Sequence, residues 1–470
     1  MASKLLRQIP KTDIILSRPA IRDAQEKYPY AFVKATVQHC LDELREQALN
    51  GRIDVIPPIE QIEERILRWL ESGRLNHLKR VINATGVVLH TNLGRAPLGE
   101  ATARHVAELS SGYCNLEYDL EQGKRGSRYA HVEELLCELT GAEAAMVVNN
   151  NAGAVFLMLN TLARGKKVAV SRGELVEIGG SFRVPEIMYE SGAEMVEIGC
   201  TNKTHPKDYE KAMDEQGAEL IFKAYTSNFI ISGFTESVSV GEMAAIAHER
   251  GGLVLYDQGS GFLFPPEAMG MHAGNVCWAG LKEGADVVSF SGDKLLGSAQ
   301  CGIILGKKQY IEQIKKNQLT RMLRIDKLSL AALEICLQFC RDPKLAREKI
   351  PALNMLSKSE QECRETAERL RWMIAEEAPD CKVRIVPVKD EAGGGSMAGV
   401  LLDGAATAVD FPYLDAEKAE NMLHHRDLPI IARVSRDGLL FSARTLFEED
   451  LGPIAKAVGD LHRQSAGAHR

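Results

Sequence analysis

Short apolar runs alternate with amphipathic helical patterns over the middle of the chain, and this alternation constrains the fold more than any other feature. Parallel strands joined by helices produce such a pattern. We therefore predict a large α/β domain with a mainly parallel sheet over residues 81–345. The strand candidates are Ala145 to Val148, Lys167 to Val170, Glu194 to Ile198, Leu220 to Ala224, Leu253 to Tyr256 and Val287 to Phe290.

The segments on either side of this domain have a different pattern. In residues 1–80, apolar residues recur at helical spacing in Ala31 to Leu49, and again in Ile59 to Leu70 after the Pro57-Pro58 break. This predicts a separate helical module. Ile311 to Cys340 is expected to form a long helix that leads out of the large domain.

Residues 346–470 are expected to form a smaller α+β domain, because short apolar runs and helical patterns again follow one another. Its strand candidates are Lys382 to Val386, Gly399 to Leu402, Pro429 to Val434 and Leu439 to Ser442, and its helices lie around Ser357 to Ala375 and Glu449 to Arg463.

Composition narrows the class of protein. We find neither an amino-terminal targeting pattern nor an apolar run long enough to cross a bilayer, so we expect a soluble, cytoplasmic protein with no membrane partner. The 10 cysteines lack paired CxxC spacing, which predicts reduced thiols and no metal site. The net charge of -7 disfavours a nucleic-acid partner, although residues 1–80 carry 14 Lys plus Arg against 11 Asp plus Glu. A solvated helical surface gives the same small surplus.

One lysine and one aspartate indicate a specific chemistry. Lys294 follows the apolar run Ala285 to Phe290, and Asp257 follows an earlier strand. A lysine in that position can form a Schiff base with an aldehyde, and a carboxylate can keep a pyridine nitrogen protonated. The pair therefore predicts pyridoxal phosphate as cofactor. The alternatives are a surface lysine after a turn and an aspartate that caps a strand end.

The same cofactor needs a phosphate site. Asn151, Ala152 and Gly153 follow a strand and begin a helix, where free N–H groups and the helix dipole can hold a phosphate. Ser291, three residues before the lysine, is well placed for the same group. Asn228 could hydrogen-bond the phenolic oxygen of the cofactor, or it could be a simple turn residue.

Several cations are not needed by this cofactor. Arg95 ends a glycine-punctuated loop, and Arg321 and Arg324 are expected on one helical face because they are three residues apart. Such arginines can bind an anion through two hydrogen bonds. Their spacing alone, however, is more typical of charged side chains on the solvent-exposed face of a helix. The stretch Lys124 to Tyr129 could approach the cofactor phosphate from a neighbouring subunit, or it could form a basic turn.

Several segments carry a closer resemblance to known proteins. Together they resemble the bacterial selenocysteine synthases, the L-seryl-tRNA(Sec) selenium transferases, which are fold type I pyridoxal phosphate enzymes. The resemblance runs from Arg7 to the last domain and thins after about residue 350. The segments are Val81 to Gly86, His90 to Arg95, Leu116 to Leu120, Ser171 to Gly180 and Ser289 to Gly297.

The resemblance implies a reaction in which serine esterified to tRNA(Sec) becomes selenocysteine, with selenophosphate as the selenium donor. The seryl amine would displace Lys294 from the cofactor, and the freed lysine would remove the α-proton. Loss of the β-hydroxyl would leave aminoacrylyl-tRNA, to which selenium adds. Arg95, Arg321 and Arg324 would bind selenophosphate, and Asp293 would take part in catalysis.

The resemblance also implies partners. Residues 1–80 would recognise the tRNA, and the chain would form dimers that assemble into a homodecamer. Gln258 departs from the apolar residue expected at its position. The residue that stacks on the cofactor ring is expected in or near Glu174 to Arg183, and Arg433 or Arg444 could clamp a substrate carboxylate.

Two other functions compete with this one. A fold type I lyase or cysteine desulfurase would act on a free amino acid, and it predicts a carboxylate clamp and activity without tRNA. A catalytically silent tRNA-binding relative predicts loss of Lys294 or Asp257, and both residues are present.

Overall fold

The computed structural model describes residues 5–51, 53, 55–72, 78–178 and 182–468. The chain falls into two compact units. The first unit comprises Met1–Ile82 and Glu417–Ile431, and the second unit comprises Asn83–Ala416 and Ala432–Arg470. Of the charged residues counted in 1–80, four lie outside the described residues: Lys4, Arg52, Asp54 and Arg74.

The amino-terminal part of the first unit is helical, as its periodicity predicts. The expected helices over Ala31 to Leu49 and Ile59 to Leu70 are confirmed. Their apolar faces share one core, in which Ile21, Leu41 and Ile66 are fully buried. The helices are Thr12–Leu16, Pro19–Lys27, Tyr30–Leu49 and Ile59–Ser72.

A segment from the other end of the chain completes the first unit. It contains most of helix Ala416–His424 and the short strand Ile430–Ile431. The Pro429 carbonyl accepts a 2.8 Å hydrogen bond from the Ile82 N–H. These contacts bring residues from both ends of the sequence into one helical unit.

A seven-stranded sheet forms the centre of the second unit. Its strands are β1 (Ala144–Val148), β2 (Lys167–Ser171), β3 (Glu194–Ile198), β4 (Leu220–Ala224), β5 (Leu253–Gly259), β6 (Val287–Ser291) and β7 (Gly302–Gly306). Their spatial order is β1-β7-β6-β5-β4-β2-β3. Only β7 is antiparallel to its neighbours. The predicted α/β class with a mainly parallel sheet is confirmed. We did not predict β7, because this short run follows a turn and not a helix.

Helices cover both faces of this sheet. On one face, Met146, Val170 and Phe222 share a core cluster with residues of helices Asn151–Leu162 and Val184–Ser191. On the other face, the apolar side chains of the sheet pack with residues of Pro206–Asp214 and Val240–Glu249. The remaining helices of this part of the chain are Glu100–Ser110, Ala130–Thr140, Ala279–Glu283, Lys308–Lys316, Lys327–Phe339, Pro343–Lys349 and Pro351–Ser357.

The predicted long helix from Ile311 to Cys340 was wrong. Helix Lys308–Lys316 ends at Asn317, a 3₁₀ turn covers Gln318–Arg321, and a new helix begins after Asp326. The Asp326 carboxylate accepts hydrogen bonds from two N–H groups of the following turn, as a helix N-cap does. Arg321 and Arg324 therefore do not share one helical face.

A four-stranded antiparallel sheet lies in the carboxyl-terminal part of the second unit. Its strands are β8 (Lys382–Glu391), β9 (Leu401–Asp410), β10 (Arg433–Ser435) and β11 (Gly438–Ser442), in the order β8-β9-β11-β10. Helix Glu360–Glu377 packs on β9 and against helix Leu451–Ala468. The predicted strand from Gly399 to Leu402 was wrong, because the strand begins at Leu401 and continues to Asp410. Its middle is rich in alanine, which has low strand propensity.

Two short hairpins lie outside the two larger sheets. Tyr118–Asp119 pairs with Lys124–Arg125, and Glu177–Ile178 pairs with Phe182–Arg183. No helix of the described residues combines the length and apolar content that a bilayer crossing needs.

Candidate active site

Asp257 and Lys294 lie at the carboxyl edge of the large sheet. Asp257 is in β5 and Lys294 follows β6, and these two strands are parallel neighbours. Because parallel strands end at the same edge, residues distant in sequence meet there. Both side chains are buried, with 3% and 5% of the residue surface exposed.

Three donors hold one oxygen of Asp257. Its Oδ1 accepts from Asn151 Nδ2 at 2.8 Å, from the Gly259 N–H at 3.0 Å and from Ser289 Oγ at 3.3 Å. Among the described residues, Oδ2 receives no comparable hydrogen bond, so this oxygen can face a ligand. Burial raises the pKa of the Asp257 carboxyl, whereas the hydrogen bonds and the nearby lysine lower it.

The environment of Lys294 lowers the pKa of its amine. Burial lowers its pKa, and the positive charge of Arg95 lowers it further, while Asp257 and Asp293 act in the opposite direction. A neutral amine is the form that attacks an aldehyde carbon.

The turn that carries Lys294 is closely packed. The Leu295 N–H donates to Ser260 Oγ at 3.3 Å. A Cβ at Gly292 would lie 2.3 Å from Cys301 Sγ, so only glycine fits there without rearrangement. The lysine is thus held on a fixed turn.

The predicted phosphate loop is the amino-terminal end of helix Asn151–Leu162. The Asn150 side chain caps the helix by accepting from the Gly153 N–H at 2.7 Å. Asn151, Ala152 and Gly153 form the first turn, where N–H groups point out of the helix end, although the Gly153 N–H is already taken by Asn150. Asn151 also reaches Asp257, so the loop and the carboxylate belong to one site.

Other polar groups at this edge are buried without partners. Ser227 Oγ, Ser298 Oγ and Asn149 Oδ1 have no hydrogen-bond partner among the described residues. Buried polar atoms are rarely left unpaired. Together with the Asp257 carboxylate, the Lys294 amine and a helix start, they fit pyridoxal phosphate, which presents a ring nitrogen, an aldehyde, a ring hydroxyl and a phosphate. Ser291 is buried at the end of β6, in the same region.

Two predicted positions have local contacts of their own. The exposed Asn228 donates its Nδ2 to the Glu177 carbonyl at 3.0 Å. In the stretch Glu174 to Arg183, residues 179–181 lie outside the described residues. Glu174 itself is buried and pairs with Lys223 at 2.5 Å.

Arg95 lies beside the turn that carries Lys294. Its Nη1 donates to Asp293 Oδ2 at 2.7 Å, and its backbone adopts a left-handed φ of 59°. Among the described residues its Nε has no hydrogen-bond partner. The guanidinium edge that includes Nε can therefore grip an oxyanion while Asp293 holds Nη1.

Arg324 lies near the start of helix Asn151–Leu162, and Arg321 is exposed. Arg324 forms an isolated bridge with Val148, and the Asn149 N–H donates to the Leu323 carbonyl at 2.9 Å. The Arg324 side chain lies 3.5 Å from Glu117. Arg321 ends the 3₁₀ turn with its side chain in solvent.

Comparison with known proteins identifies the family. A family model described as L-seryl-tRNA selenium transferase matches residues 81–447, and one described as Selenocysteine synthase N terminal matches residues 6–45. The chain belongs to the L-seryl-tRNA selenium transferase family. This confirms the family resemblance seen in the sequence.

Relatives named L-seryl-tRNA(Sec) selenium transferase match this family member over nearly its whole length. The protein of Clostridium botulinum strain Okra is 45% identical over 458 residues, which are 97% of this chain and 99% of the relative. The protein of Aquifex aeolicus is 43% identical over 459 residues, with the same coverage. Among solved structures, D-glucosaminate-6-phosphate ammonia-lyase aligns with a TM-score of 0.58 and 18% identity, over 85% of this chain and 99% of that one. That likeness concerns the fold alone.

Arg444 does not act as a carboxylate clamp in this selenium transferase family member. The side chain is 1% exposed, and it donates to the Asp390 carboxylate and to the carbonyls of Met355, Lys358 and Asp403. Its nitrogens are thus all engaged within the protein. Arg433 also lies near Asp390, at 3.4 Å.

Sequence reasoning missed some residues of the site. Ser289 and Ser260 were not singled out, although Ser289 bonds Asp257 and Ser260 bonds the lysine turn. The signal for Ser289 was a hydroxyl between the apolar residues Val288 and Phe290 of strand β6. Ser227 stands beside the predicted Asn228 and has a buried, unpartnered hydroxyl.

Proposed function

We propose that this protein converts L-seryl-tRNA(Sec) into L-selenocysteinyl-tRNA(Sec) with pyridoxal phosphate as cofactor. The observation that carries the proposal is the buried pair of Lys294 and Asp257 at the carboxyl edge of the sheet, in a chain of this family. Pyridoxal phosphate supplies, when bound, an electron sink for negative charge that develops at the substrate Cα.

The residues of the chain divide the work. Asp257 Oδ2 would keep the ring nitrogen of the cofactor protonated, and Asn151 fixes the carboxylate through Oδ1. Lys294 would hold the cofactor aldehyde, and its amine would accept the proton from the substrate Cα. The β-hydroxyl would leave as water after protonation, and selenium would add to Cβ, with its bond to phosphorus broken by water and phosphate released.

Arg95 and Asp293 serve the selenium donor, which we take to be selenophosphate. Arg95 offers a guanidinium edge to the phosphate oxygens, and the 2.7 Å contact with Asp293 fixes its orientation next to Lys294. Arg321 and Arg324 would add positive charge. Asp293, adjacent to the lysine, is placed to exchange protons during elimination and addition.

The first unit recognises the tRNA in this proposal. It contains the residues matched by the Selenocysteine synthase N terminal model and the small basic surplus of residues 1–80. We take 1–80 as the tRNA-recognition module, 81–345 as the cofactor domain and 346–470 as the small domain. The chain would act as dimers in a homodecamer, in the cytoplasm, where aminoacyl-tRNA is found.

The engaged Arg444 argues against a lyase or desulfurase that acts on a free amino acid. Such an enzyme needs a cation for the substrate carboxylate, and the donors of this arginine already bond protein oxygens. A serine esterified to tRNA has no free carboxylate to bind.

Activity with defined substrates tests the proposal. Purified protein is incubated with seryl-tRNA(Sec) and selenophosphate, and the amino acid released from the tRNA is identified. We expect selenocysteine from the intact protein and from Lys207→Ala, an exposed-lysine control, and none from Lys294→Ala. Consumption of free serine or cysteine without conversion of seryl-tRNA(Sec) would contradict the proposal.

A further inference from the structure

A buried charge cluster lies beneath the segment that leads to Arg95. Asp390 is 1% exposed at the end of β8 and accepts from Ser442 Oγ at 2.8 Å, Arg444 Nε at 3.2 Å and Arg433 Nη2 at 3.4 Å. Removing one member of such a cluster leaves an uncompensated buried charge, which is costly. Three side chains thus hold the Asp390 carboxylate in place.

Gly86 lets the chain approach this base closely. A Cβ at Gly86 would lie 2.0 Å from Asp390 Oδ1 and 2.7 Å from Ser442 Oγ, and its φ of +78° is one that side chains disfavour. Its N–H donates to Thr445 Oγ1 at 3.2 Å. Thr445 follows Arg444 directly. The stretch Ser442–Thr445 therefore contacts both the Asp390 carboxylate and Gly86.

Backbone hydrogen bonds extend this attachment along residues 84–89, which we call the tether. The Ala84 carbonyl accepts from Ser442, and the Gly86 carbonyl accepts from Glu391. The Val88 N–H donates to the Glu391 carbonyl at 3.1 Å, and the Leu89 N–H donates to the Ala392 carbonyl at 2.7 Å. These partners are Ser442, which begins the Ser442–Thr445 stretch, and Glu391 and Ala392, which directly follow Asp390.

The loop that contains Arg95 lies between the tether and the turn that carries Lys294. From Leu89 the chain passes through the 3₁₀ turn Thr91–Leu93 and reaches Arg95, whose N–H donates to the His90 carbonyl at 3.1 Å. Beyond it, the Ala96 N–H donates to the Asp293 carbonyl at 3.4 Å. A non-glycine residue with a left-handed φ, such as Arg95, persists only where its surroundings hold it.

We propose that Asp390, Arg444 and Thr445 are positioning residues, which fix the tether and thereby aim the Arg95 guanidinium at an oxyanion beside Lys294. This inference rests on the proposed role of Arg95 as the binding group for the phosphate part of the selenium donor. Arg444 thus serves an anion site from a distance and does not contact a substrate carboxylate.

The test uses the mildest change in the cluster. Thr445→Val keeps the side-chain shape and removes the oxygen that accepts from Gly86, whereas Thr445→Ser keeps that oxygen. We expect Thr445→Val to raise the KM for selenophosphate about 3- to 10-fold, as expected for loss of about one hydrogen bond. The kcat and the KM for seryl-tRNA(Sec) should stay near the wild-type values, and Thr445→Ser should restore the selenophosphate KM.

Amide hydrogen exchange provides a readout independent of activity. Thr445→Val should speed exchange in the segment 84–96 while exchange in β5 and β6 is unchanged. If Thr445→Val fails to fold, Ser442→Ala, which removes one donor to Asp390, is measured in the same way. An unchanged selenophosphate KM would overturn the inference, and so would unchanged exchange in 84–96.

The variant Arg95→Ala distinguishes a failure of this inference from a failure of the proposed function. If Arg95→Ala leaves the selenophosphate KM unaltered, the proposed anion site itself is wrong. If Arg95→Ala raises that KM and Thr445→Val does not, the anion site stands and the positioning role is wrong. Inorganic phosphate, used as a competitor of selenophosphate, should lose inhibitory strength in Arg95→Ala and, to a smaller degree, in Thr445→Val.

Discussion

Asn151 Nδ2 donates a 2.8 Å hydrogen bond to Asp257 Oδ1, and this contact links the start of a helix after β1 to the end of β5. Burial favours the protonated form of this carboxyl, and the amide donor opposes that tendency. The asparagine thus helps to keep Asp257 ionised, the state in which it can hold a proton on a ring nitrogen.

Asn151→Ala should therefore lower kcat by about 10- to 100-fold, the value of a hydrogen bond to a charged group. Steady-state turnover of seryl-tRNA(Sec) measures the effect. Asn115→Ala, at an exposed position of the same unit, is the control and should keep wild-type activity. Full activity in Asn151→Ala would show that Asp257 does not need this donor.

The lowered pKa of Lys294 predicts a pH-dependent stability of the cofactor-free protein. Between its folded pKa and the ordinary lysine value, the unfolded state binds more protons than the folded state, so this group destabilises the fold at low pH and less so as pH rises. Lys294→Met should unfold at a higher denaturant concentration than the wild type near pH 7. The difference should shrink towards pH 10.

Denaturant unfolding of both proteins across that pH range tests the sign. Lys207→Met, at an exposed lysine, should show no such trend. A Lys294→Met protein that is less stable than the wild type at pH 7 would mean that the buried lysine is charged and well compensated.

Arg95 should set the affinity for the selenium donor. Arg95→Ala removes a bidentate cation, so the KM for selenophosphate should rise about 10- to 100-fold. Arg95→Lys keeps the charge and loses the planar fork, so it should recover only part of the loss. Arg104→Ala, an exposed arginine paired with Glu100, is the matched control. Equal effects of Arg95→Ala and Arg104→Ala would remove Arg95 from the site.

Exposed cations of the first unit should contribute to tRNA binding. Arg22 and Lys34 are exposed on neighbouring helices. Replacing both with glutamate should weaken tRNA binding, and the slope of log affinity against log salt should become shallower by about 0.7–0.9 per lost phosphate contact. Filter binding over a salt series measures both quantities. Lys207→Glu in the second unit should leave the slope unchanged, and an unchanged slope in the double variant would exclude these two residues.

Much of the large sheet could be predicted, because its strands are apolar runs between helical patterns. The chain order of a phosphate loop, Asp257 and Lys294 also predicted one cofactor site, and the structure brings them together because parallel strands end at the same edge. The helix breaks at Asn317 and Asp326 could not be predicted from periodicity. A capping residue such as Asp326 can begin a new helix even where apolar residues recur at helical spacing on both sides of it. Local contacts decide whether one continuous helix or two helices form.

Long-range contacts account for the rest. Asn151 was expected at the phosphate, and only the sheet order reveals its bond to Asp257. The inclusion of Glu417–Ile431 in the first unit depends on pairing between chain ends, which no local pattern signals. Similarly, Arg444 could be a clamp or a structural residue until the oxygens around its side chain are known.

Identification of the lysine that carries the cofactor tests the central claim most directly. The purified protein is reduced with borohydride in the presence of pyridoxal phosphate, digested, and analysed by peptide mass spectrometry. We predict a pyridoxyl-phosphate adduct on Lys294 and a yellow colour before reduction that Lys294→Ala lacks. An adduct on another lysine, with Lys294 unmodified, would contradict the account.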